Sequence, residues 1–205
     1  MGQIHERRFA GSPEMLRSPG RIEFLEVERV IDLCLEAFAA RSVLDVGTGT
    51  GLFAEGFAAR GLKVAGIDAN PAMAEAARRY VSQAEFRQAP AEAIPYPNGA
   101  FDLVFLGLVL HETDNRLQAL LEARRVARGG VAALEWPYRE EEHGPPLAHR
   151  LKPEEVVVLA QAAGFSQVET SPLTRLVLYR LSISIDSEEE KKGMVVPSPP
   201  QDARP

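Results

Sequence analysis

Three glycines alternate with threonines at Gly47, Thr48, Gly49, Thr50 and Gly51, directly after the apolar run Val43, Leu44, Asp45, Val46. Glycines spaced this way let the backbone turn tightly and let a ligand lie against it. A helix starting after them offers unbonded N–H groups. A second apolar run, "LKVAGID", ends in Asp68, whose carboxylate can accept hydrogen bonds from two neighbouring hydroxyls. Glycines after one strand and an acid ending the next form the pattern of a nucleoside site. A third group of interest is "LHET" at 110–113. His111 has the chemistry of a base near neutral pH; its plainer role is packing or capping, with Thr113 a natural cap for the helix that follows. Glu112 either contacts a ligand or is solvated. The pair does not begin an H-E-x-x-H site, because position 115 is asparagine. His143 and His149, taken with His111 and Glu112 or Glu135, match no standard metal-ligand spacing, so no metal is predicted.

These residues need a scaffold, and the periodicity supplies one. Apolar positions three and four apart predict a helix over 22–40, and short buried-type runs predict strands at 42–46, 62–68 and 84–89. Helices are expected over 51–61, with Gly61 ending the first, and over 70–83, capped by Asn70 with Pro71 in the first turn. The most hydrophobic stretch, "FDLVFLGLVL" at 101–110, reads as a central strand covered on both faces. A helix over 114–128, a strand over 129–136, a Pro/Gly-containing loop at 137–150, a helix over 152–165 and a final pair of strands complete the order. Alternation of strand and helix through five strands predicts an α/β, doubly wound, Rossmann-like sheet. It has seven strands, mostly parallel, with an antiparallel strand near the C-terminus and helices on both faces. The expected organisation is an irregular N-terminal arm over 1–20, one domain over 21–185, and a polar, proline-rich disordered tail over 186–205.

The 205 residues carry a net charge of −6 and a single cysteine, Cys34. One cysteine excludes a disulfide framework or a cysteine-built metal centre within the chain. The acidic balance and the absence of a basic stripe argue against nucleic acid. With no h-region at the start and no membrane-length apolar run, a cytoplasmic protein without a membrane span is expected. Nothing in the sequence sets the oligomeric state.

A dinucleotide fingerprint, G-x-G-x-x-G, would place its third glycine where Leu52 stands; here it comes one residue early, at Gly51. "VLDVGTGTG" instead resembles motif I of the class I S-adenosylmethionine-dependent methyltransferases. The resemblance runs in order over roughly residues 22–170. It takes in "VAGIDAN", "PAEAIPYPNGAFDLVFLGLVLHE" and "ARRVARGGVAALEW", and is similar to the type 11 group, which includes quinone-biosynthesis enzymes. That resemblance implies S-adenosyl-L-methionine as cofactor and methyl transfer by in-line displacement. Asp45 and the backbone from Gly47 through Thr48 and Gly49 to Gly51 would face the methionine part, and Asp68 the ribose. Ala69 and Asn70 would edge the adenine, Met73 would pack on it, and Ala91 and Glu92 would close its other side. Many relatives carry aspartate where this chain has Pro90, so Glu92 or a backbone carbonyl must take the adenine amino group.

Residues just past the fourth strand face the transferred methyl group in that family, which places His111 and Glu112 as catalytic candidates. Trp136 and Tyr138 are candidate pocket walls, and the arm and the 137–150 loop are candidate lids. The chain lacks the Asp/Asn-Pro-Pro-aromatic motif of DNA amino-methylating enzymes and the cysteines of arsenite methyltransferases. A small-molecule acceptor is the remaining class. Two alternatives stay open: an NAD(P)-dependent oxidoreductase, opposed by the glycine spacing, and a non-catalytic S-adenosylmethionine-binding or partner protein.

Overall fold

In a computed structural model, which describes residues 12–184, the apolar runs become seven strands of one sheet. In chain order they are β1 (Ser42–Val46), β2 (Lys63–Asp68), β3 (Glu85–Gln88), β4 (Phe101–Gly107), β5 (Ala127–Glu135), β6 (Gln167–Pro172) and β7 (Val177–Ser182). Their order across the sheet is β3-β2-β1-β4-β5-β7-β6. β1 to β5 run parallel, in the register Leu44 to Ala65 and Leu44 to Val104, and β7 inserts antiparallel between β5 and β6. The predicted architecture is the observed one.

Successive side chains of a strand point to opposite faces, so a strand buried on both must be apolar throughout. Val43, Leu103 and Phe105 enter the core beneath α2 (Val27–Ala37) and α3 (Leu52–Ala59). Leu44, Val104 and Leu106 enter the opposite core, under α5 (Arg116–Val126) and α6 (Pro153–Ala162). α4 (Pro71–Tyr80) packs Ala74 and Ala77 against Ala54 of α3. Asn70 caps α4, accepting the Ala72 N–H at 3.0 Å. No described helix is long and apolar enough to cross a membrane.

Four local expectations change. The helix predicted over 22–40 is two helices, α1 (Pro19–Leu25) and α2, separated by Glu26 in the left-handed region at φ 47°. The Glu26 carboxylate holds that corner, accepting the Thr174 N–H at 2.8 Å and pairing with Arg29. The described part of the arm is not irregular: Pro13–Arg17 form a 3-10 turn, and α1 begins at Pro19. Residues 1–11 and the expected tail lie outside the described residues. The strand predicted over 101–110 stops at Gly107, because Leu108 turns the chain at φ 59° into a short 3-10 turn, Leu110–Glu112. Asn115, not Thr113, caps α5, accepting the Gln118 N–H at 3.0 Å; the Thr113 hydroxyl donates back to Leu110 O.

Candidate active site

All five parallel strands point their C-terminal ends the same way, and in such sheets ligands bind outside those ends. There β1 runs into the glycine loop. Gly47 and Gly49 adopt φ 68° and 53°, left-handed conformations that side chains disfavour. The N–H groups of Gly47 and Thr48 both donate to Ile67 O at 2.9 Å, which ties the loop across the end of β2. A Cβ at Gly47 would sit 2.6 Å from Val109 Cγ2, so no larger residue fits. Asp68 completes the loop: its Oδ2 accepts the Gly49 N–H at 2.9 Å and its Oδ1 the Asn70 N–H at 2.8 Å. Asp45 is 1 % exposed beneath the loop and accepts the Thr48 hydroxyl at 2.7 Å. Burial pushes its pKa up to about 7, against the Thr48 hydrogen bond and the Ala54 backbone, while the Asp68 charge adds to the rise.

A cavity of about 1070 Å³ opens over the ends of β2, β1, β4 and β5. At its β2 end lie Gly47, Gly49, Asp68, Ala69, Met73 and Ala91. A carboxylate beside a slot of small apolar side chains suits a nucleoside, whose hydroxyls it can accept. The residues present therefore fit the implied cofactor. Asp45, Thr48 and Gly51, read from sequence as ligand contacts, do not line the cavity. Thr48 and Asp45 brace the loop from beneath, and Gly51 precedes the first residue of α3. Glu92 lines the cavity, yet its Oε1 accepts the Asp114 and Asn115 N–H groups at 2.8 and 3.3 Å. Its carboxylate thus joins the loop after β3 to the start of α5.

At the other end stand His111 and Glu112. The His111 side chain is set by Glu135, the last residue of β5: Nδ1 lies 2.7 Å from Oε2, and the His111 N–H donates to Oε1 at 3.2 Å. His111 and Glu135 are 3 % and 1 % exposed. A carboxylate only accepts, so Nδ1 carries the hydrogen and Nε2 is the titrating nitrogen, 3.9 Å from Glu112. Burial disfavours the imidazolium, but the Glu135 charge and hydrogen bond, with Glu112 behind them, outweigh it and raise the His111 pKa above its ordinary value.

Trp136 walls the cavity, and its ring lies 5.4 Å from that of Phe24 on α1. Tyr138, expected beside it, faces outward at 41 % exposure. The 137–150 loop, read from sequence as a mobile lid, is held by one buried side chain. Arg150 donates to the carbonyls of Pro145, Pro137, Arg139 and His143 at 2.7–3.2 Å. The N-terminal segment is fastened similarly: Arg17 donates to Thr50 O at 3.1 Å, pairs with Glu55 at 2.7 Å and lies 3.6 Å over the Tyr80 ring. Leu16, Ser18 and Arg21 thereby line the cavity. Sequence reasoning missed Arg21 and Phe24, whose three-residue spacing on one helix face was the available signal. It missed the orienting role of Glu135 because that contact spans 24 residues. No group of described residues has the arrangement of a metal site.

Residues 44–134 match the family model described as "Methyltransferase domain". A demethylmenaquinone methyltransferase of Thermus thermophilus is 38% identical over 117 residues, covering 53% of this chain and 53% of its own. An uncharacterized methyltransferase of Synechocystis is 36% identical over 129 residues, covering 59% of this chain and 61% of its own. The chain thus spans about half the length of the curated relatives it matches. Among solved structures, a SAM-dependent methyltransferase from Aquifex aeolicus superposes with a TM-score of 0.74 at 25% identity, covering 85% of this chain and 100% of that one. The sheet order agrees with these matches: the chain carries the sequence pattern of the methyltransferase domain over residues 44–134 and shares its fold with a SAM-dependent methyltransferase.

Proposed function

We propose that the protein methylates a small-molecule acceptor in the cytoplasm, with S-adenosyl-L-methionine as donor. The observation that carries this reading is the single cavity joining a nucleoside-type end at Asp68 to a histidine–carboxylate pair at His111 and Glu135. When bound, the cofactor supplies a methyl group on a positively charged sulfur. Asp68 takes the ribose hydroxyls, the Gly47–Gly49 backbone faces the amino-acid part, and Ala69, Met73 and Ala91 enclose the base. His111 Nε2 accepts the proton that an acceptor hydroxyl or amine gives up, and Glu135 holds the ring for that task as a positioning residue. The walls from α1 and the 137–150 loop keep water away from the reacting end, where alignment supplies much of the rate.

Calorimetry with S-adenosylhomocysteine tests the cofactor. It should bind the wild type, NADH should not, and Asp68→Ala should weaken it by about 2–3 kcal/mol, the loss of charge-assisted hydrogen bonds. Unchanged affinity in folded Asp68→Ala removes that residue from the site. Incubation of a metabolite pool with methyl-labelled donor tests turnover; binding without any label transfer favours a non-catalytic cofactor-binding protein.

A further inference from the structure

Arg21 is the only lysine or arginine among the described residues that line the cavity. It is partly buried on α1, and its guanidinium makes no hydrogen bond or ion pair with any described residue; the charge it faces is that of Glu112. Burial of the group lowers its pKa from the ordinary value, with Glu112 acting the other way. A guanidinium at the cavity wall that makes no hydrogen bond to a described residue has donors to offer an anionic ligand. Phe24 lies three residues on, on the same helix face, and tilts against Trp136 with ring centroids 5.4 Å apart. A cationic fork, an aromatic wall and the His111 imidazole therefore share the end of the cavity away from Asp68.

We infer that the acceptor is a hydroxylated aromatic acid, its anionic group held by Arg21, its ring against Phe24 and Trp136, and its hydroxyl toward His111. This rests on the methyltransferase reading. A planar guanidinium pairs with a carboxylate through two parallel hydrogen bonds, which a lysine cannot reproduce. The rival source of the same chemistry is the carboxylate of the cofactor's own amino-acid tail, and the experiment separates the two.

The full chain is saturated with S-adenosylhomocysteine and titrated with salicylate and with its neutral counterpart salicylamide. Salicylate should bind at least about tenfold tighter, the value of one charge-assisted contact. Arg21→Gln should erase that preference, and Arg21→Lys should keep only part of it. Neither substitution should move S-adenosylhomocysteine affinity by more than about twofold, which also reports that the variants are folded. Equal binding of the two probes, or binding of neither, overturns the inference. So does a loss of S-adenosylhomocysteine affinity in Arg21→Gln with unchanged binding of 5′-deoxy-5′-methylthioadenosine, which lacks the tail carboxylate. Failure of S-adenosylhomocysteine to bind the wild type is a separate result, and it refutes the cofactor reading itself.

Discussion

Replacing Asp45 by asparagine should stabilise the protein at neutral pH and have little effect in acid. Asp45 is fully enclosed beneath the glycine loop, and its carboxyl is pushed up to about 7 from an ordinary 3.8, chiefly by burial. A group whose folded pKa lies above its unfolded one holds its proton more tightly in the native state. Its contribution is complete below the unfolded pKa and is lost as pH rises through the folded one. For Asp45 the window runs from about pH 4 to about pH 7, and at about 1.4 kcal/mol per unit the full loss is a little over 4 kcal/mol. Structural relaxation around the carboxylate makes this an upper figure. Asparagine stays neutral throughout and can still accept the Thr48 hydroxyl. Urea unfolding of both proteins at pH 5 and pH 8 isolates the effect, because other titrating groups, His111 included, are common to the two. The variant should gain about 2–3 kcal/mol on the wild type between those pH values. Parallel stability curves would show that Asp45 titrates as an ordinary carboxyl, and the reasoning from its burial would fail.

The His111–Glu135 pair makes a kinetic prediction. Proton acceptance needs neutral His111, so turnover should rise with pH through its raised pKa. Glu135→Gln should move that limb to lower pH and reduce the plateau about tenfold or more; an unmoved pH profile would deny Glu135 its role. Arg150→Met keeps the aliphatic stem and removes the guanidinium donors. It should lower unfolding stability by about 2–4 kcal/mol and speed amide exchange across 138–149; unchanged exchange would mean the loop holds itself. Gly47→Ala should cut S-adenosylhomocysteine affinity more than about tenfold, since backbone strain and the clash with Val109 displace the loop. Gly61→Ala, at φ 82° with nothing within 4 Å, is the control and should lose stability only.

Much of the frame was legible because its signals are local. β1 matches its predicted span, and Asn70 caps α4 as its side chain and the following proline imply. The overrun of β4 has a physical cause: Leu110 is buried and Leu108 and Val109 face the cavity, so hydrophobicity continues where the strand has ended. Periodicity is equally blind at Glu26, whose conformation is held partly by a contact 148 residues away. Of the cavity lining, Gly47, Gly49, Asp68 and His111 could be picked out from type and spacing. The use of Asp45 could not, because a motif says which residues recur and not whether they face the ligand or carry the loop. Arg150 is a similar case. Its place in "HGPPLAHR" marks a distinctive loop, but only the folded chain shows the guanidinium turned back onto that loop's own carbonyls.

That last arrangement bears on how such a protein could change what its cavity holds over time. Arg150 binds main-chain oxygens, and every residue has one, so the shape it imposes makes no demand on most side chains between 138 and 149. Residues such as His143 and His149 can therefore be exchanged while the rim of the cavity keeps its contour. Form and chemistry are separately heritable there. A lineage holding one arginine and the tryptophan beneath it can try new ligands without first solving the loop again.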